Sequence, residues 1–205
     1  MGRFLRRLEA GGSATLRALG DSLTVGYRVR RGYLDFLGDM LQGRLPGCGV
    51  SLENHGVCGD TVFDGIDRSR SVLRSPPADA QILQFGTNDC FCGVSAARYQ
   101  GGLLELAARY RECGGAGDLL LLPPPRVRMA DFDGALDAFR DAVDQIASRT
   151  GAVVVPVLDV WDAFNGPEPL WLEDGVHPTE AGYRLMARAV MSALERAACP
   201  VRDPG

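Results

Sequence analysis

Two short stretches carry residues that could do covalent chemistry. In the first, Leu16-Arg17-Ala18-Leu19-Gly20-Asp21-Ser22-Leu23-Thr24, an apolar run breaks at a glycine and is followed by an acid and a serine. An apolar run closed by Gly reads as a buried strand entering a turn, which leaves the Ser22 hydroxyl at a strand mouth. A serine there can serve as a nucleophile if a base comes within hydrogen-bond reach. Taken alone, the stretch is read more simply as a serine capping the next helix. The second stretch, Glu173-Asp174-Gly175-Val176-His177-Pro178, holds one of only two histidines in the chain. Pro178 can occupy a first helical turn, where its missing N–H costs little, so His177 belongs to an ordered loop at a helix start. A tight turn at Gly175 brings the Asp174 carboxylate to the imidazole, a pairing that fixes the tautomer and supports the cation formed on taking up a proton. Without a serine elsewhere, Asp174 would read as a loop cap; beside Ser22 it reads as the partner of a base.

The elements that must position these groups follow from periodicity. Apolar runs of strand length are expected at about 15–19, 49–54, 80–85, 118–122 and 152–155. Helical spacing is expected from Gly32 to Gln42 with a stop at Gly43, after the loop 55–61 to about Leu73, from Ser95 to Arg111, from Asp131 to Arg149, and from Thr179 to Ala198. Residues 1–14 read as a lead-in with one amphipathic turn at a solvated helix end, and Pro200–Gly205 as a frayed tail. Strands alternating with helices imply a parallel sheet covered on both faces. Ligands of such sheets bind beyond the carboxyl ends of the strands. Ser22, Gly59 and Asn88 each follow a strand, so all three belong on that edge.

Composition limits the function. With 205 residues, one domain is expected, with a core from about 15 to 198. A hydrophobic share of 46% and a charged share of 23% are those of an ordinary globular chain. The net charge of −4 gives no field for nucleic acid. No apolar run approaches the roughly 18 residues of a membrane span, and the polar N-terminus does not read as a secretory signal. The expectation is a cytoplasmic protein acting on a small molecule. Six cysteines read as free thiols, and Cys90-Phe91-Cys92 lacks the spacing of a metal knuckle, so no metal site is expected.

Four blocks then appear in order across the chain: Gly20-Asp21-Ser22-Leu23, Gly59-Asp60-Thr61, Gly86-Thr87-Asn88-Asp89 and Asp174-Gly175-Val176-His177-Pro178. In this the sequence resembles the SGNH hydrolases, the GDSL esterases and lipases, from about residue 15 to 198. The resemblance implies an α/β, flavodoxin-like three-layer fold with a five-stranded parallel sheet of order 2-1-3-4-5. It implies a serine esterase that needs no cofactor, with Ser22 as nucleophile, His177 as base and Asp174 as its orienting acid. It also implies an oxyanion hole from the backbone N–H of Ser22, the backbone N–H of Gly59 and the side-chain amide of Asn88. Family members act on aryl and alkyl esters, lysophospholipids, acyl-thioesters and acetylated sugars. The chemistry agrees: fixed donors near a carbonyl oxygen stabilise the charge that builds there, and Gly59 lets backbone approach a substrate. The absence of Gly-x-Ser-x-Gly argues against the α/β-hydrolase fold.

Other residues read more plainly. His55, near only Glu53, reads as a polar loop residue. Asp21, Asp89 and Asp60 are expected to brace loops by accepting backbone N–H bonds. Arg126 and Arg128 read as a solvated pair by default, with substrate contact as the alternative. Leu170 and Trp171 read either as an apolar wall beside the site or as core. The function from a different class is a non-catalytic small-ligand module with Gly20–Thr24 around a phosphate; the absence of Gly-x-x-x-x-Gly-Lys weakens it.

Overall fold

The computed structural model describes residues 2–73 and 76–199, so the tail Pro200–Gly205 lies outside the described residues. The strands are β1 (Ser13–Gly20), β2 (Gly49–Gly56), β3 (Ala80–Gln84), β4 (Asp118–Leu121) and β5 (Val153–Val154). All pairs are parallel and the order is β2-β1-β3-β4-β5, as the resemblance implies. The helices are α1 (Arg3–Glu9), α2 (Ser22–Val25), α3 (Tyr33–Arg44), α4 (Val62–Val72), α5 (Thr87–Phe91), α6 (Ala96–Glu112), α7 (Ala130–Thr150), α8 (Val157–Asp162) and α9 (Glu180–Ala198). Among the described residues no helix is long and apolar enough to cross a membrane.

Successive strand side chains point to opposite faces, and the sheet uses this to build two cores. Leu16, Ala18, Ile82 and Leu120 face α1, α3 and α9. Leu19, Leu83, Leu119 and Leu121 face α4, α6 and α7. The result is three layers. Register is what matters for function: Gly20 pairs with Gly56 on one side and Gln84 on the other, so β1, β2 and β3 end on one rung. Short turns leaving that rung carry Ser22, Gly59 and Asn88.

Several local expectations are corrected. The lead-in is not a solvated end: Phe4, Leu5 and Leu8 of α1 are buried against α9 and β1. Asp118 accepts the Gly2 and Phe4 N–H groups at 2.6 and 3.1 Å, satisfying donors that a helix start leaves open. Gly43 does not stop α3, which runs to Arg44. His55 lies in β2 and not in a loop, because pairing with β1 continues through Leu19 and Gly20. The short helices α5 and α8 were not anticipated; at five and six residues each they are too short to show a period.

Candidate active site

Ser22 opens α2, but it is not the cap. Asp21 holds that position and accepts the Leu23 N–H at 2.8 Å. Ser22 is left largely buried with its hydroxyl directed elsewhere: Oγ lies 2.9 Å from His177 Nε2. On the far side of the ring, Nδ1 lies 2.9 Å from Asp174 Oδ2. The other Asp174 oxygen accepts the N–H groups of Val176 and His177, both at 2.9 Å. Gly175 makes this compact turn with φ of 71°, a left-handed conformation that a side chain would strain. Burial works against ionisation of Asp174, but the two backbone N–H groups and the ring outweigh it and hold the carboxyl below its ordinary range.

The loop carrying this pair is tied down by main-chain bonds. Leu172 N–H donates to the His177 carbonyl at 2.8 Å, Thr179 N–H to Leu170 at 3.0 Å, and Arg128 N–H to Gly175 at 2.7 Å. Trp171 Nε1 donates to the Arg126 carbonyl at 2.8 Å. The solvated reading fails for Arg126, whereas Arg128 is exposed. Arg126 is held between Asp162 and Asp133, and Arg128 braces the loop through its N–H and a long bond to the Glu173 carbonyl. Leu170 is core and Trp171 packs against it, and both line a cavity of about 560 Å³ with Trp161, Phe164 and Arg128.

Gly59 and Asn88 flank Ser22 from the turns after β2 and β3. Gly59 has φ of 87°, is exposed, and has open space where a side chain would stand. The N–H groups of Ser22 and Gly59 have no acceptor among the described residues. Asn88 Nδ2 donates one hydrogen to the Asp60 carbonyl at 2.9 Å and keeps the second. Asp89 braces as expected, accepting Val62 and Gly86 N–H groups at 3.1 Å. Asp60 does not accept a backbone N–H with its side chain; it takes Arg68 Nε at 2.6 Å. The same guanidinium reaches the carbonyls of His55 at 2.8 Å and Gly20 at 2.9 Å, binding the ends of β1 and β2 to the Gly59 turn. His55 lies 3.6 Å from Glu53 and takes no part.

Sequence reasoning missed Arg68, whose partners are 8 to 48 residues away, and Tyr27, whose ring centroid lies 4.3 Å from that of His177. It also missed the state of Asp21. Asp21 is fully buried with Oδ2 unpartnered, and desolvation pushes its carboxyl up to about 7, against the lowering effect of the Leu23 N–H and the Gln84 amide. The nearby carboxylates of Asp89 and Asp60 push in the same direction as burial.

Comparison with known proteins gives a consistent setting for this geometry. Residues 18–185 match the model of the GDSL-like lipase/acylhydrolase family. The esterase TesA of Pseudomonas aeruginosa is 26% identical, covering 91% of this chain and 90% of that protein. An acetylxylan esterase of Geobacillus stearothermophilus is also 26% identical, covering 91% and 96%. The solved structure of LAE5, described as an alpha/beta hydrolase enzyme from the metagenome of Lake Arreo, Spain, superposes with a TM-score of 0.76 at 24% identity, covering 89% of this chain and 95% of that one. It shares the fold.

Proposed function

We propose, for a chain that belongs to the GDSL-like lipase/acylhydrolase family, that it hydrolyses small carboxylic esters through an acyl-serine intermediate. The observation that carries this reading is the continuous relay from Ser22 Oγ through both ring nitrogens of His177 to Asp174, each contact at 2.9 Å. His177 Nε2 takes the Ser22 proton as Oγ attacks the ester carbonyl, and returns it to the departing alcohol. Water then attacks the acyl-serine with the same base. Asp174 keeps the proton-bearing Nδ1 turned toward itself and supports the imidazolium. The oxyanion takes the free N–H groups of Ser22 and Gly59 and the second hydrogen of the Asn88 amide, donors already oriented before charge develops.

Exposed large hydrophobic residues on the strand-end side of the sheet fit an apolar part in the substrate: among the described residues these are Val25, Val57, Phe91 and Met129, which follow β1, β2, β3 and β4 in turn. The named activities of the relatives, on esters and on acetylated xylan, fit the same acyl-transfer chemistry. The test is pre-steady-state hydrolysis of p-nitrophenyl acetate. A burst of p-nitrophenol equal to the enzyme concentration is expected, together with labelling of Ser22 by a fluorophosphonate. Turnover that survives in Ser22→Ala would end the assignment.

A further inference from the structure

Next to the site lies a basic segment that the ester chemistry leaves unexplained. Tyr27-Arg28-Val29-Arg30-Arg31 follows α2 and its Gly26 cap, in a chain whose net charge is negative. Arg28 has φ of 56° and is, among the described residues, the one non-glycine with a positive φ. The left-handed conformation is unfavourable for a residue with a Cβ, and such outliers cluster where the surroundings hold a residue for a purpose. Its guanidinium carbon lies 5.3 Å from the centre of the Tyr27 ring, and Tyr27 in turn lies against the His177 ring. Arg31, three residues on, is paired with Asp39. Arg28 is exposed and has no carboxylate partner among the described residues.

Resting on the ester-hydrolase reading, we propose that Arg28 is a substrate-selecting residue, whose guanidinium, stacked on Tyr27 beside His177, takes a carboxylate or phosphate carried by the ester. A guanidinium presents paired N–H donors that match either anion. Tyr27 supplies a flat support that keeps the cation beside the imidazole without neutralising it, as a carboxylate would. Arg30 is also exposed and adds positive charge to the same segment. The alternative is a solvated surface arginine, which has no need of a strained backbone or of a ring contact leading to the base.

The test compares two acetate esters of similar size that differ in charge, 4-acetoxybenzoate and 4-acetoxybenzamide, with each kcat/KM divided by that ester's hydroxide-catalysed rate to remove the difference in leaving group. The parent protein should favour the carboxylate in kcat/KM by about 5-fold at low salt, the scale of one exposed charge pair. The preference should shrink as ionic strength rises from about 0.05 M to about 0.5 M. It should vanish in Arg28→Gln and persist in Arg149→Gln, at the C-terminal end of α7. A parallel arm measures binding of both esters to Ser22→Ala by NMR titration, where the carboxylate should again bind more tightly, and equally with its counterpart once Arg28→Gln is added. Hydrolysis of both esters with equal kcat/KM, or a preference unchanged in Arg28→Gln, overturns the role of Arg28. Charge-selective, Arg28-dependent binding without any hydrolysis would overturn the esterase reading and leave the anion site standing.

Discussion

The two halves of the site are built by different means. The serine half is assembled from the ends of three strands and depends on buried polar groups far apart in sequence. Asp21, Asp60 and Asp89 lie beneath it, and Arg68 bridges the turns from α4. The histidine half is a short loop that folds on itself, with the Asp174 carboxylate bonded to residues two and three positions on. Its remaining anchors are main-chain bonds to Leu170, Leu172 and Arg128 and the Arg128 guanidinium on the Glu173 carbonyl. Removing a group from the first half should disturb folding and turnover together, because it strands other buried polar atoms. Removing one from the second should disturb turnover alone.

The comparison is tested most strongly in the histidine half. His177→Ala should lower kcat by about 10⁴-fold or more, the scale of losing a base that acts as a unit with its nucleophile, while the denaturation midpoint stays near that of the parent. Asp174→Asn should cost less, because its role is orientation. A large loss of stability in His177→Ala would show that this loop supports the fold as well. Next comes Asn88→Ala, with kcat lower by about 10²–10³-fold and KM little changed, the usual cost of one oxyanion donor. A change confined to KM would mean that Asn88 holds substrate and transition state equally. Arg68→Gln should then separate the halves by stability. It takes a donor from Asp60 and from the His55 carbonyl, while the Gly20 carbonyl keeps the Val57 N–H, so unfolding free energy should fall by about 2–4 kcal/mol, with a loss in kcat smaller than that of Asn88→Ala. Unchanged stability would mean that water replaces Arg68 without cost.

What could be read in the sequence follows the same division. The Asp174–His177 pair is local, so a turn at Gly175 and a spacing of three sufficed to foresee it. The strand-end position of Ser22 was legible because a run of apolar residues stops at Gly20. Strand order was not written in periodicity and came from the resemblance of four blocks. Arg68 was illegible, because nothing in Ile66-Asp67-Arg68-Ser69 marks it apart from other helical arginines; its meaning comes from β1 and β2 ending on one rung. The lead-in helix was misread for a related reason. Phe4, Leu5 and Leu8 acquire a buried face only once α9 returns from the far end of the chain.

The finest test concerns Asp21, where the effect on turnover should be the smallest of the five and the effect on stability should depend on pH. Burial raises its carboxyl to about 7 in the folded protein, against about 3.9 for an exposed aspartate. Between those values the folded state holds a proton that the unfolded chain has released. Folded protein therefore binds more protons, and this group's contribution to stability falls as pH rises through the window and levels off above about 7. Asparagine keeps the oxygen that accepts the Leu23 N–H, and it is favoured at a helix cap, but it carries no charge to bury. Asp21→Asn should thus gain on the parent between pH 5 and pH 8, by at most about 2–3 kcal/mol of unfolding free energy, measured by urea denaturation at both values. Parallel curves for the two proteins would mean that Asp21 ionises as freely in the fold as outside it, with an entering water supplying the partner that Oδ2 lacks. The serine half would then carry an ordinary charged cap under its nucleophile. A gain that appears as predicted would make the contrast concrete: one half of the site holds its carboxylate below the ordinary range in a solvent-facing turn, and the other holds a carboxyl largely protonated in the core.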